Sequence, residues 1–192
     1  MKNFFKDGYD TILRLIVTQL GMTMFGIMIT LITHVLPGAS EKDKDPMLLV
    51  ASGGAILFYL ALIYMHIWEK GAKDRIKVDG GRMEKNPLKG LWFSLIANSV
   101  NLICGIVMFI PYHFCSSVGT EGSIAFQLFG SANDIARMLQ GMYVGMINYF
   151  SPEAASTDPI AFILITLPAI AVTTGGYILG FSNFKLFGNK QK

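Results

Sequence analysis

Charge is what this sequence has least of. Only 15% of its 192 residues are Asp, Glu, Lys or Arg, against about 25% in an ordinary soluble domain. Too little polar surface is available to keep a chain of this length in water by itself. Cysteine is nearly absent as well. Cys104 and Cys115 stand eleven residues apart on a rising helix, outside any C-x-x-C pattern, so no disulfide framework is implied. The three histidines form neither H-x-x-x-H nor H-E-x-x-H, and an external metal site joining His34, His113 and Cys115 with Glu41 or Asp45 would draw ligands from separate segments. G-x-S-x-G, a P-loop and paired carboxylates inside apolar runs are all missing. Away from their cytoplasmic ends the apolar runs hold no Asp, Glu, Lys or Arg, which argues against a proton-coupled pump. The expectation is a chain that is not an enzyme and that carries no metal or other cofactor.

What fills the sequence instead is apolar length. The composition is 52% hydrophobic and the mean hydropathy is +0.47. Runs of about 20 apolar residues match the thickness of a bilayer. Four are read as spans, at about 11–36, 47–68, 88–110 and 160–181. The first is too long for the apolar core of a signal peptide and has no convincing small-x-small cleavage site, so it is expected to be retained. A single membrane domain over 1–192 then leaves no room for a separate soluble one.

Orientation comes from one hydrophilic stretch, Lys70 to Lys89. It holds Lys70, Lys73, Arg75, Lys77, Arg82, Lys85 and Lys89 against Asp74, Asp79 and Glu84. Basic residues near span ends resist translocation, so a cytoplasmic loop is assigned to 69–87. With it inside, 13 of the 16 Lys and Arg fall on the cytoplasmic side. Topology therefore accounts for the basic residues, and a nucleic-acid partner is not needed. Within the loop a short helical extension, then a turn at Asp79-Gly80-Gly81, is preferred to a small hairpin.

Residues 123–150 are the ambiguous part. On a helix, Gln127, Ser131, Asp134, Arg137, Gly141, Gly145 and Asn148 fall on one side, and Ala125, Phe129, Ala136, Leu139, Tyr143, Ile147 and Phe150 on the other. Both terminal segments are basic and belong inside, so the number of crossings is even. The fold expected is an all-α integral membrane protein. It has four transmembrane helices plus one amphipathic interfacial or re-entrant helix on the outer side, with cytoplasmic N- and C-termini, in a bacterial cytoplasmic membrane.

Three groups of residues are candidates for function. Ser94, Asn98 and Asn101 share a stripe of the third span, and Thr173 and Thr174 sit in a Gly-rich, loosened part of the last. Such polar groups either hold helices together or line a path for a substrate. Asp134 and Arg137, three residues apart, form a candidate outer ion pair. Lys73, Arg75, Lys77 and Arg82 are candidate contacts for a lipid headgroup or a partner. The bland reading of each is packing, mutual pairing and a solvated loop. The function expected is a non-enzymatic subunit or accessory of a larger membrane assembly, with the bilayer and another membrane protein or a second copy as partners. The alternative is a small autonomous carrier or channel-like transporter using the third-span stripe.

Overall fold

The computed structural model describes residues 2–35, 41–114, 123–150 and 159–183, and these are all-helical with no strand. Among the described residues the helices are α1 (Lys2–Val35), α2 (Glu41–Asp79), α3 (Lys89–Ala97), α4 (Ser99–Phe114), α5 (Ile124–Leu139), α6 (Gly141–Phe150), α7 (Pro159–Leu164) and α8 (Leu167–Phe181). Residues 115–122, 151–158 and 184–192 lie outside the described residues.

Three stretches are long and apolar enough to cross a membrane: Gly8–Ile29, Pro46–Asp79 and Pro159–Phe181. A fourth exists if α3 and α4 are counted as one broken span, since they pass the test only together and bend by 60° at the break. Only 33% of each of the three apolar windows is buried within the chain. The rest presents apolar side chains such as Val50, Leu57 and Phe58 outward, a surface that requires an apolar surrounding.

Several boundaries differ from the sequence reading. Helix α2 starts at Glu41, so Pro46 lies inside it rather than in the first turn. It runs on to Asp79, and Gly81 at φ 68° closes it in the left-handed region that glycine adopts without strain. The third span is not one helix. It breaks at Asn98, whose side-chain oxygen accepts from Asn101 Nδ2 at 3.4 Å, and a short polar side chain of this kind competes with the helical ladder. Its second half continues through Pro111 to Phe114. The 123–150 segment is likewise two helices. Ser123 caps the first by accepting from Phe126 N–H, and the break falls at Gln140. The last span breaks at Ile165–Thr166, just before Pro168, which has no N–H to bond back toward Leu164.

The residues form two compact units, which share α1 and α2. The first comprises 1–16, 60–97 and 168–192. Ile67, Phe93 and Tyr177 are fully enclosed in it. Glycines bring its helices together: a Cβ on Gly71 would strike the backbone of Tyr177, and one on Gly180 the backbone of Trp68. Gly176 lies against Ile67 and Tyr64, and Gly90 against Tyr177. Small residues thus set the close approach of α2, α3 and α8.

The second unit comprises 17–59 and 98–167. Its apolar core is Cys104 and Met108 of α4, Phe129, Ala132 and Ala136 of α5, and Phe162 of α7, with Val107 and Ile165 at the margin. The apolar side read from the 123–150 pattern supplies Phe129, Ala136, Tyr143 and Ile147, all buried. Gly141 and Gly145, assigned to the polar side, are buried too. Gly141 lies against Ile27 and Thr23 of α1, and Gly145 against Ser52 and Leu48 of α2. Glycine has no side chain to declare a polarity, so its place on a helical wheel says nothing about burial.

Candidate functional site

The first unit contains a buried charge cluster on the stretch read as a solvated loop. Asp74, on the cytoplasmic extension of α2, is fully enclosed, and Lys89, the first residue of α3, is 5% exposed. Lys89 Nζ donates to Asp74 Oδ2 at 2.9 Å, and the Tyr177 hydroxyl of α8 donates to the same oxygen at 3.0 Å. Lys70 Nζ stands 3.3 Å from Asp74 Oδ1 as an ion pair, but without hydrogen-bond geometry. Lys89 also lies 3.5 Å from Met83 Sδ and 5.6 Å from the centre of the Phe93 ring, and Phe93 meets Tyr177 edge to face. One carboxylate therefore joins three helices. The cluster clasps both ends of the 80–88 connection, since Asp74 precedes it and Lys89 follows it.

Beside this clasp is a cleft of about 200 Å³ between α1 and α2. Asp10, Thr11 and Arg14 line it from α1, and His66, Glu69, Lys70 and Lys73 from α2. Lys73 Nζ is 2.6 Å from Glu69 Oε1, and both side chains are exposed. Lys70 is held by Asp74. Asp10 and Arg14 have no ion pair among the described residues.

The four residues read as headgroup or partner contacts do not form one patch. Only Lys73 enters the cleft. Arg75 Nε lies 3.5 Å from Asp79 Oδ2, and its Nη1 donates to the Phe181 carbonyl at 3.5 Å, at the C-terminus of α8. Lys77 occupies the last turn of α2, where a cation suits the helix dipole. Arg82 is exposed and its backbone N–H donates to the Lys77 carbonyl at 2.9 Å.

The third-span stripe is also divided. Ser94 is buried in the first unit, whereas Asn98 and Asn101 are buried in the second. Asn101 Oδ1 has no hydrogen-bond partner, and neither has the buried Gln140 Oε1 or the Tyr143 hydroxyl of the same unit. Thr173 and Thr174 each donate to the carbonyl one turn back, of Ala169 and Ile170, which spends their hydroxyls within α8. On α5, Asp134 is exposed and Arg137 Nε donates to Asn133 Oδ1 at 3.2 Å. Among the described residues no three of His, Cys, Asp and Glu gather as metal ligands. Compared with protein-family models, characterised proteins and solved structures, the chain matches none.

Sequence reasoning overlooked Asp74, Lys89 and Tyr177 as a cluster, and Asp10, Thr11, His66 and Glu69 as parts of a cleft. One signal existed: Tyr177 puts a hydroxyl in an otherwise apolar span, and a phenol at that depth needs a partner.

Removing one member of the clasp leaves the other charge enclosed. Asp74→Leu or Lys89→Met alone should cost about 3–5 kcal/mol of stability. Replacing both should restore most of the loss, because Lys70 can extend toward solvent. Thermal unfolding in detergent checks this, and a double variant that loses the sum of the two single losses would show that the pair is not coupled.

Proposed function

We propose that the chain is a multi-pass protein of a cytoplasmic membrane, with both termini inside, and that it works as a non-enzymatic subunit or accessory of a larger membrane assembly. The observation that carries this reading is how its glycines are used. Gly26, Gly141, Gly145, Gly176 and Gly180 are spent on close contacts within a unit. Gly21, Gly53 and Gly54 are not: no atom beyond their own helix turn stands within 4 Å of where a Cβ would be. Glycine in a helix weakens it by about 1 kcal/mol relative to alanine. The loss has a return in a bilayer when another backbone approaches. Gly54 lies on the outward face of α2 with the exposed Val50, Leu57 and Phe58, a shallow notch suited to a partner helix.

Purification from native membranes in a mild detergent should recover one further membrane protein, or a second copy, near one-to-one. Gly54→Leu should lose it, while Ile103→Ala on α4 keeps it and both variants remain folded. A wild-type chain that is monomeric, partnerless and active alone would sink the reading.

Orientation has its own check. On a chain without Cys104 and Cys115, a cysteine placed at Lys42 or Ser156 should react with an impermeant thiol reagent from outside, and one at Gly80 should not. Outside labelling at Gly80 would invert the arrangement.

A small carrier is the second reading, favoured by the break at Asn98 and the three unpartnered buried polar atoms at Asn101, Gln140 and Tyr143. Interrupted helices with buried polar groups are a common way to build a transport site at membrane depth. In this case Asn98→Leu with Asn101→Leu should abolish flux from proteoliposomes while folding is kept; unchanged flux would remove the alternative.

A further inference from the structure

The cleft between α1 and α2 has a composition that topology does not explain. A loop that only needs to stay inside has no use for acidic residues gathered with its cations. Here two carboxylates, three permanent cations and a histidine line one cavity. Its ion pairs leave a specific remainder. Lys73 pairs with Glu69, and Lys70 shares Asp74 with Lys89. Among the described residues, Arg14 and Asp10 have no ion pair, one charge of each sign.

Depth supplies the second constraint. The cleft lies where the apolar stretch of α1 begins and where that of α2 gives way to Glu69 and Lys70. Trp68 is next to Glu69 in the chain, and Tyr9 next to Asp10. Both ring types favour the headgroup layer. Leu13 and Met65, neighbours of Arg14 and His66, are exposed at 44% and 58%, so apolar surface adjoins the charged lining on the same unit.

We propose that this cleft binds a phospholipid whose headgroup carries both a phosphate and a primary ammonium. Arg14 takes the phosphate, since a guanidinium fork matches two of its oxygens and an ammonium does not. Thr11 and His66 supply neutral hydrogen-bonding groups beside it. Asp10 takes the headgroup ammonium, which has three N–H donors to offer. The acyl chains leave over Leu13 and Met65. A headgroup with a trimethylated nitrogen keeps the charge but loses the donors, and a glycerol headgroup loses the charge as well. The cleft therefore ranks three common headgroups: ethanolamine above choline and glycerol.

The test uses the full-length protein in mixed-lipid nanodiscs, with retained lipids read by native mass spectrometry. Phosphatidylethanolamine should be retained roughly tenfold better than phosphatidylcholine or phosphatidylglycerol at equal supply, as a charge-assisted hydrogen bond lost to the wrong headgroup implies. Asp10→Asn should erase the preference over phosphatidylcholine while phosphate binding persists. Arg14→Gln should lower retention of all three lipids, and Arg14→Lys should recover part of it, which separates loss of charge from misfolding. Equal retention of the three lipids by the wild type overturns the proposal, as does an unchanged preference in Asp10→Asn or unchanged retention in Arg14→Gln. Soluble phosphoethanolamine, added as a competitor, should displace the lipid only weakly; displacement at matched concentration would assign the cleft to a soluble phosphate compound and overturn the lipid source.

Discussion

In an apolar surrounding every backbone N–H and C=O must find a partner inside the chain, because an unmet group costs several kcal/mol and no water is at hand. Continuous helices meet this demand automatically. Among the described residues three such stretches are interrupted, and at two of the breaks a side chain takes over a freed carbonyl. At the α3–α4 break Asn101 donates instead to the side-chain oxygen of Asn98. Thr166 Oγ1 donates to the Ile163 carbonyl at 2.7 Å between α7 and α8. At the α5–α6 break, the Leu139 carbonyl accepts from Thr23 at 2.7 Å and from Gln19 at 3.5 Å, both on α1. Gln140 itself reaches the Phe162 carbonyl at 3.4 Å. The polar residues scattered through the apolar runs are placed where the ladder fails.

This accounting also shows which polar groups it leaves over. Thr173 and Thr174 are absorbed by their own helix. Asn101, Gln140 and Tyr143 retain unpartnered atoms in the second unit, and Tyr64 and Asp74 in the first. The carrier alternative therefore rests on the second unit, and the headgroup cleft on the first. The two readings use no residue in common, so evidence for one does not weaken the other.

How much of this was legible in the sequence varies with the range of the cause. Apolar length and low charge follow from composition, and they gave the all-helical class and the candidate spans. The buried face Phe129–Ala136–Tyr143–Ile147 was legible because periodicity is local. The break at Gln140 was not. Its cost is met by Phe162, 22 residues further on, and by α1, 116 or more residues earlier. Asp74 and Lys89 were read as solvated for a similar reason. Fifteen residues apart in a hydrophilic stretch, they look like ordinary loop charges, and only the Tyr177 hydroxyl, 103 residues from Asp74, encloses them. In the third span the polar stripe was visible, yet an asparagine that glues helices and one that ends a helix have the same spacing. Local pattern does not separate the two.

The 70–89 stretch thus does two things that seem to conflict. Its basic residues set orientation in the topology proposed here, yet Lys70, Lys73, Arg75 and Lys89 each have a carboxylate within 3.5 Å in the folded chain. The conflict disappears once the two are placed in time. Orientation is decided during insertion, by the number of Lys and Arg near span ends, and acidic neighbours contribute little to it. Pairing comes later, when α3 and α8 close on α2 and exclude water from Asp74. A charge enclosed at that stage is costly unless matched, and Lys70 and Lys89 match Asp74. Arg82 and Lys85 remain exposed on the turn, where solvent meets the need. Glu69, Asp74 and Asp79 accordingly sit one helical turn from the lysines and arginine of α2 with which they pair.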